Sequence, residues 1–251
     1  MQNPFVWADL STFDLSGAKH FYRECFGWRY HEQDAGYVLA GADPYAPVAG
    51  LYTMPEKFQA IGMPSFWMSY IQVDDIDATV SKAEQHGARI EVRPEPSPSG
   101  GLVALIRDPS GAGFTCFQGE SGASRPKAAA GARVWHELHV SDLTLVGAFY
   151  REVFGWAIQP AAHADRYELF GADDSTPIAG IQVTSNELKG DKEYWGVYFA
   201  LDDLRAAGSR VEQLGGRIVA EQPVGGRAAL LVVDSQDAAF YLVQTSGGGQ
   251  V

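Results

Sequence analysis

The chain has 251 residues, with 19 Lys+Arg against 31 Asp+Glu and a formal net charge of −12. At roughly 100–200 residues per domain it holds one large or two small domains, and 46% hydrophobic with 12% aromatic residues suffices to bury a core, which excludes global disorder. The acidic balance argues against nucleic acid as a partner, no apolar run approaches the ~18 residues of a membrane span, and Cys25 and Cys116 make neither a disulfide framework nor a zinc cage. Met1 to Phe5 lacks a basic stretch followed by an apolar one, so no secretory signal is expected. The chain therefore reads as cytoplasmic.

In chain order, Phe5–Leu10 alternates like a strand. Asp14 is placed to cap a helix whose apolar residues Leu15, Ala18, Phe21, Tyr22, Cys25 and Phe26 recur at helical spacing, and Gly27 is placed to end it. Short strands follow around Trp28–His31, Tyr37–Ala40 and Val48–Met54. A second unit starts with the strand Phe66–Val73. Asp74 and Asp75 open a helix to about Gln85, and strands around Arg89–Arg93, Leu102–Arg107 and Phe114–Gln118 complete the unit. Residues 121–130 are small and polar and read as a linker, after which the whole order repeats.

The repeat is visible residue by residue at an offset of about 128. Trp7-Ala8-Asp9-Leu10 returns as Trp135-His136-Glu137-Leu138, Phe21-Tyr22-Arg23-Glu24 as Phe149-Tyr150-Arg151-Glu152, and Phe26-Gly27-Trp28 as Phe154-Gly155-Trp156. Trp67, Tyr70 and Asp74-Asp75 return as Trp195, Tyr198 and Asp202-Asp203. Four βαβββ units are expected, in domains 1–120 and 131–246, with a disordered tail at 247–251.

Taken with Pro98-Ser99-Gly100-Gly101 and Arg107-Asp108-Pro109-Ser110-Gly111, this ordered set resembles the vicinal-oxygen-chelate superfamily of glyoxalases, bleomycin-resistance proteins and extradiol dioxygenases. The tandem form with Trp on the first strand is similar to a bacterial branch that includes a culture-filtrate antigen and polyketide-pathway proteins labelled hydroxylases. The resemblance implies an α+β fold: two tandem glyoxalase/bleomycin-resistance-type domains whose curved mixed sheets enclose clefts. It also implies a divalent metal held by His, Gln or Glu from the first and last strands of paired units. Those positions fall on Trp7, Gly50, Met68 and Thr115 in one half and on Trp135, Gly180, Gly196 and Tyr241 in the other. None is an imidazole or a carboxylate, which divalent metals require. No metal site and no cofactor are therefore expected, with a divalent metal kept as the alternative.

Strand alternation indicates what replaces the ligands, because residues i and i+2 share a face. Trp7 brings Asp9 and Ser11 with it, and Trp135 brings Glu137 and His139. Met68 and Tyr70 share a face, as do Gly196 and Tyr198; Tyr52, Gln182, Thr115, Phe117 and Tyr241 join from the other strands. The expected site is an aromatic pocket with few polar groups, the usual make-up of a small-molecule site. Asp9, Glu137 and His139 are the acid–base candidates, with Tyr70, Tyr198 and Tyr241 as hydroxyl donors. His136, Trp67 and Trp195 face the helices and are expected in the core, while Asp75 and Asp203 are expected as helix caps.

The function expected is binding, and transformation, of an oxygen-rich or aromatic small molecule without a conventional metal site. The alternatives are a sequestering resistance protein, a cofactor-free hydroxylase of polyketide-type aromatics, and a metal-dependent glyoxalase or dioxygenase. The partner is a small-molecule ligand, with neither nucleic acid nor membrane, in a monomer or homodimer. Because the two halves differ at corresponding cleft positions, Asp9/Ser11 in one and Glu137/His139 in the other, the two clefts are expected to be non-equivalent.

Overall fold

The computed structural model describes residues 3–33, 36–43, 45–60, 62–97, 100–120, 129–172 and 175–245, apart from the side chain of Lys57. The expected tail at 247–251, most of the expected linker, and the motif residues Pro98 and Ser99 lie outside the described residues.

The first half runs β1 (Phe5–Thr12), α1 (Leu15–Phe26), β2 (Arg29–Glu32), β3 (Val38–Gly41), β4 (Ala49–Thr53), α2 (Glu56–Gln59), β5 (Phe66–Gln72), α3 (Ile76–Gln85), β6 (Arg89–Pro96), β7 (Leu102–Arg107) and β8 (Gly113–Gln118). The second half runs β9 (Arg133–Val140), α4 (Gly147–Phe154), β10 (Ala157–Pro160), β11 (Arg166–Phe170), β12 (Ala179–Val183), α5 (Asn186–Lys189), β13 (Tyr194–Leu201), α6 (Leu204–Gln213), β14 (Arg217–Glu221), β15 (Ala229–Val233) and β16 (Ala239–Gln244). Each half contributes one open, mixed, eight-stranded sheet, in the orders β2-β3-β4-β1-β5-β8-β7-β6 and β10-β11-β12-β9-β13-β16-β15-β14. Strand β1 pairs parallel with β4, and β9 with β12.

Local chemistry sets the helix ends. The Asp14 carboxylate accepts from the Gly17 N–H at 3.0 Å, and Gly27 closes α1 at φ 69°, a left-handed conformation that glycine adopts without strain. Asp75 and Asp203 cap α3 and α6 in the same way. The second half departs from the expected repeat at α4. Asp142 caps a single 3-10 turn, Leu143–Leu145, and the α-helix proper starts only at Gly147. Val146 and Gly147, poor helix formers, stand where the first half has Ala18 and Lys19. The short helices α2 and α5 carry too little periodicity to be read from sequence.

Cα proximity divides the chain into two compact units, each drawing one βαβββ module from each half. One comprises 1–6, 69–122 and 135–196; the other comprises 7–68, 123–134 and 197–251. The first packs α3 against α4 over a core that includes Ile71, Ile106, Phe114, Leu138, Phe149, Tyr150 and Trp195. The second packs α1 against α6 over Leu10, Phe21, Tyr22, Leu51, Trp67, Phe199 and Phe240. Burying each such side chain contributes about 1.5–3 kcal/mol.

Each core contains a buried relay linking the two halves. In one unit the Trp195 indole donates to the Tyr150 hydroxyl at 2.9 Å, which donates to Asp108 at 2.8 Å. In the other, Trp67 donates to Tyr22 at 3.0 Å and Tyr22 to Asp234 at 2.9 Å. The other oxygen of each carboxylate takes backbone N–H groups of its own turn. Burial raises Asp108 and Asp234 above the ordinary aspartate value, against those hydrogen bonds. Trp67 and Trp195 are thus core residues, as expected. So is His136, whose Nδ1 shares a hydrogen bond with Ser69 at 2.8 Å and whose ring stacks on Phe5 at 4.5 Å.

Candidate functional site

Along β1, Ala8 and Leu10 enter the core, so Trp7, Asp9 and Ser11 occupy the opposite face. The register places Asp9 beside Gly50 on β4 and Gly50 beside Leu39 on β3. Tyr37 lies two residues before Leu39, on the same face. Gly50 has no side chain, and the gap above it is filled from both sides. The Tyr37 hydroxyl makes a short hydrogen bond to Asp9 Oδ1, and the Trp7 indole N–H donates to the same oxygen at 2.7 Å and to Tyr37 Oη at 2.8 Å. A Cβ at Gly50 would overlap both Tyr37 Oη and Asp9 Oδ1. Asp9 is buried, with 3% of its surface exposed. Burial and then the Asp9 charge push the Tyr37 phenol far above its ordinary range and Tyr52 up to about 12. Both tyrosines therefore remain hydrogen-bond donors, with their rings stacked at 6.3 Å.

The duplicate on β9 has the same register and different chemistry. Glu137 lies beside Gly180 on β12, and Gly180 beside Glu168 on β11. Two residues before Glu168 stands Arg166, in the place of Tyr37. Its Nη2 donates to Glu137 Oε2 at 2.8 Å, with both side chains buried. A Cβ at Gly180 would fall 2.7 Å from Glu137 Oε1. His139 replaces Ser11. It is fully buried, stacks on Tyr194 at 5.0 Å, and shares a hydrogen bond between Nδ1 and Thr184 Oγ1 at 3.1 Å. Burial, and then the charges of Arg166 and Lys189, lower His139 to about 3. Its imidazole is therefore neutral near pH 7, and the 3.8 Å approach of Nε2 to Glu137 is not an ion pair there. Lys189 is held by Asn186 at 2.8 Å and by Glu193 at 3.1 Å.

Tyr52 and Gln182 occupy corresponding places on β4 and β12, opposite Ser11 and His139. Met68 and Tyr70 are half-buried on β5, where Tyr70 lies beside Thr115 and Gln72 beside Phe117 on β8. Tyr198 and Tyr241, on β13 and β16, are fully buried and stacked at 4.2 Å, with the Tyr241 hydroxyl donating to Gln222 at 3.3 Å. The sequence reading missed Tyr37 and Arg166, although Gly50 and Gly180 were the signal. A glycine between two strands of a half-buried face leaves room that a neighbour's side chain fills.

The positions at which the resemblance places metal ligands do not fit a divalent ion. They hold indole, glycine, thioether, hydroxyl and phenol groups, and the space over Gly50 is taken by the Asp9–Tyr37 bond. Among the described residues no three His, Cys, Asp or Glu side chains come together as a metal-binding group. No helix among them is long and apolar enough to cross a membrane.

Comparison with known proteins supplies the family. The model of the Glyoxalase/Bleomycin resistance protein/Dioxygenase superfamily matches residues 5–115. CFP32 of Mycobacterium tuberculosis (strain CDC 1551 / Oshkosh), which carries a provisional glyoxylase name, is 32% identical over 252 residues, spanning 95% of this chain and 93% of that protein. The anthracycline biosynthesis protein DauV of Streptomyces sp. (strain C5) is 27% identical over 261 residues, spanning 95% and 92%. Among solved structures, the Mn(II)-bound glyoxalase of Novosphingobium aromaticivorans superposes with a TM-score of 0.67 at 17% identity, covering 97% of this chain and 83% of that one. A variant of homoprotocatechuate 2,3-dioxygenase from B. fuscum gives 0.64 at 14% identity, covering 97% and 72%. With two mixed sheets in tandem and a full-length relative at 32% identity, the chain belongs to the glyoxalase/bleomycin resistance/dioxygenase superfamily.

Proposed function

We propose that the protein binds oxygen-rich or aromatic small molecules at two separate strand faces, one carrying Asp9 and the other Glu137, and transforms them by proton transfer at the Asp9 face without a metal at the family's usual position. The observation that carries this reading is the burial of ionisable groups on the face away from the core. A buried carboxylate–guanidinium pair costs several kcal/mol per ion in desolvation, and apolar residues would fill the same space at lower cost. Such constellations concentrate at functional sites. The relative DauV, named for anthracycline biosynthesis, favours a polycyclic aromatic ketone among possible ligands.

In this reading Asp9 moves the proton. Trp7 and Tyr37 fix its orientation through Oδ1, and Tyr52, kept protonated, donates a hydrogen bond to developing negative charge on a substrate oxygen. His139 has little basicity and positions ligand atoms or neighbours by hydrogen bonding, while Glu137 holds Arg166 in place.

The test is a screen of hydroxylated aromatic ketones and 2-oxoaldehyde thiol adducts, by tryptophan fluorescence and thermal shift, followed by turnover assays of the native protein and Asp9→Asn. Binding is expected, with Asp9→Asn keeping affinity within a few-fold and losing about 100-fold in turnover. Binding without turnover would leave a sequestering protein, and silence across the panel would overturn the reading.

A further inference from the structure

We propose that β9 carries a recognition point for a ligand oxygen: the Trp135 indole N–H takes a carbonyl or phenolate oxygen of a conjugated aromatic ligand. This deepens the proposed function and rests on it. The argument starts from the duplicate. Trp7 donates its indole N–H to Asp9 at 2.7 Å and to Tyr37 at 2.8 Å, so the donor is satisfied within the fold. At the corresponding place on β9 both acceptors have changed. Arg166 stands for Tyr37, and a guanidinium donates only. Glu137 stands for Asp9, and its Oε2 receives Arg166 at 2.8 Å. The Trp135 Nε1 atom is buried and has no hydrogen-bond partner among the described residues. Native proteins leave few buried donors in that condition, because the lost hydration is not returned until an acceptor arrives.

The surroundings narrow the chemistry of that acceptor. Glu137 balances the Arg166 charge, and His139 is neutral near pH 7. A single uncharged N–H donor suits a carbonyl or a delocalised phenolate better than a phosphate or dicarboxylate, whose several oxygens need several donors. The indole itself offers a flat surface against which a conjugated ring can stack.

The experiment follows the indole N–H resonances of the six tryptophans in 15N-labelled protein, with Trp135 assigned from Trp135→Phe. The probes are 2-hydroxy-1,4-naphthoquinone and its oxygen-free counterpart, naphthalene. The naphthoquinone should move the Trp135 resonance downfield and slow its hydrogen exchange, and naphthalene should not. Trp135→Phe should weaken naphthoquinone binding about tenfold and leave naphthalene binding unchanged. In the free protein Trp135→Phe should match or exceed the native melting temperature, because it deletes a donor that lacks an acceptor. A clear drop would reveal an internal acceptor and overturn the proposal. Naphthoquinone binding that leaves the Trp135 resonance in place overturns it too, with the small-molecule reading intact. If the native protein binds neither the naphthoquinone nor any member of the wider panel, both fall together.

Discussion

The faces of β1 and β9 are duplicates that solved one packing problem in two ways. Both set a tryptophan and a carboxylate beside a glycine on the neighbouring strand, and both fill the gap over that glycine with a side chain from the next strand. On β1 the filler is the phenol of Tyr37, and the result is a neutral-donor cluster closed around Asp9. On β9 the filler is the guanidinium of Arg166, and the result is a buried ion pair beside a neutral imidazole. The backbone register is shared, so the difference lies in side-chain chemistry alone.

The sharpest way to test that contrast is to neutralise each carboxylate. Glu137→Gln leaves the buried Arg166 without its counter-charge and should cost about 3–5 kcal/mol in urea denaturation. Asp9→Asn faces no opposite charge and should cost only about 1–2 kcal/mol. Equal losses would break the comparison. Pairing Glu137→Asp with Arg166→Tyr transplants the β1 arrangement and should recover most of the loss.

Next come the glycines. Gly50→Ala drives a methyl into Tyr37 and Asp9 and should cost about 3 kcal/mol, whereas Gly180→Ala meets Glu137 Oε1 at the looser distance of 2.7 Å and should cost about 2 kcal/mol. Circular-dichroism melts of the two variants measure the gap. Tyr37→Phe removes the hydroxyl that donates to Asp9 and should cost about 2 kcal/mol, as a hydrogen bond to a charged acceptor does.

The smallest effect is the pH dependence of the β9 side. His139 binds protons less readily folded, at about 3, than unfolded, near 6.5. The unfolded chain then holds the extra proton between those values. The contribution is complete above about 6.5 and is lost as pH falls, by up to about 1.4 kcal/mol per pH unit. Denaturation midpoints of the native protein and His139→Gln between pH 7 and pH 5 should diverge in slope, the variant being flatter. Ser11, the counterpart on β1, contributes no such slope.

Much of this was legible before any fold was drawn. The repeat, the strand pattern, the caps at Asp14 and Asp75, the stop at Gly27 and the face shared by Trp7, Asp9 and Ser11 depend on neighbours a few residues apart, and such spacing is written directly in sequence. So was the absence of imidazole and carboxylate at the positions where relatives of this fold class are expected to hold a metal. Three things required the tertiary structure. Tyr37 and Arg166 reach their carboxylates only because β3-β4-β1 and β11-β12-β9 are adjacent strands, a relation between residues 28 and 29 positions apart. Each core takes one module from each half, because helix faces that look alike in sequence do not declare which partner they bury against. And His139 is a neutral hydrogen-bonding group near pH 7 because burial and two nearby cations disfavour its charge, which no spacing along the chain reveals.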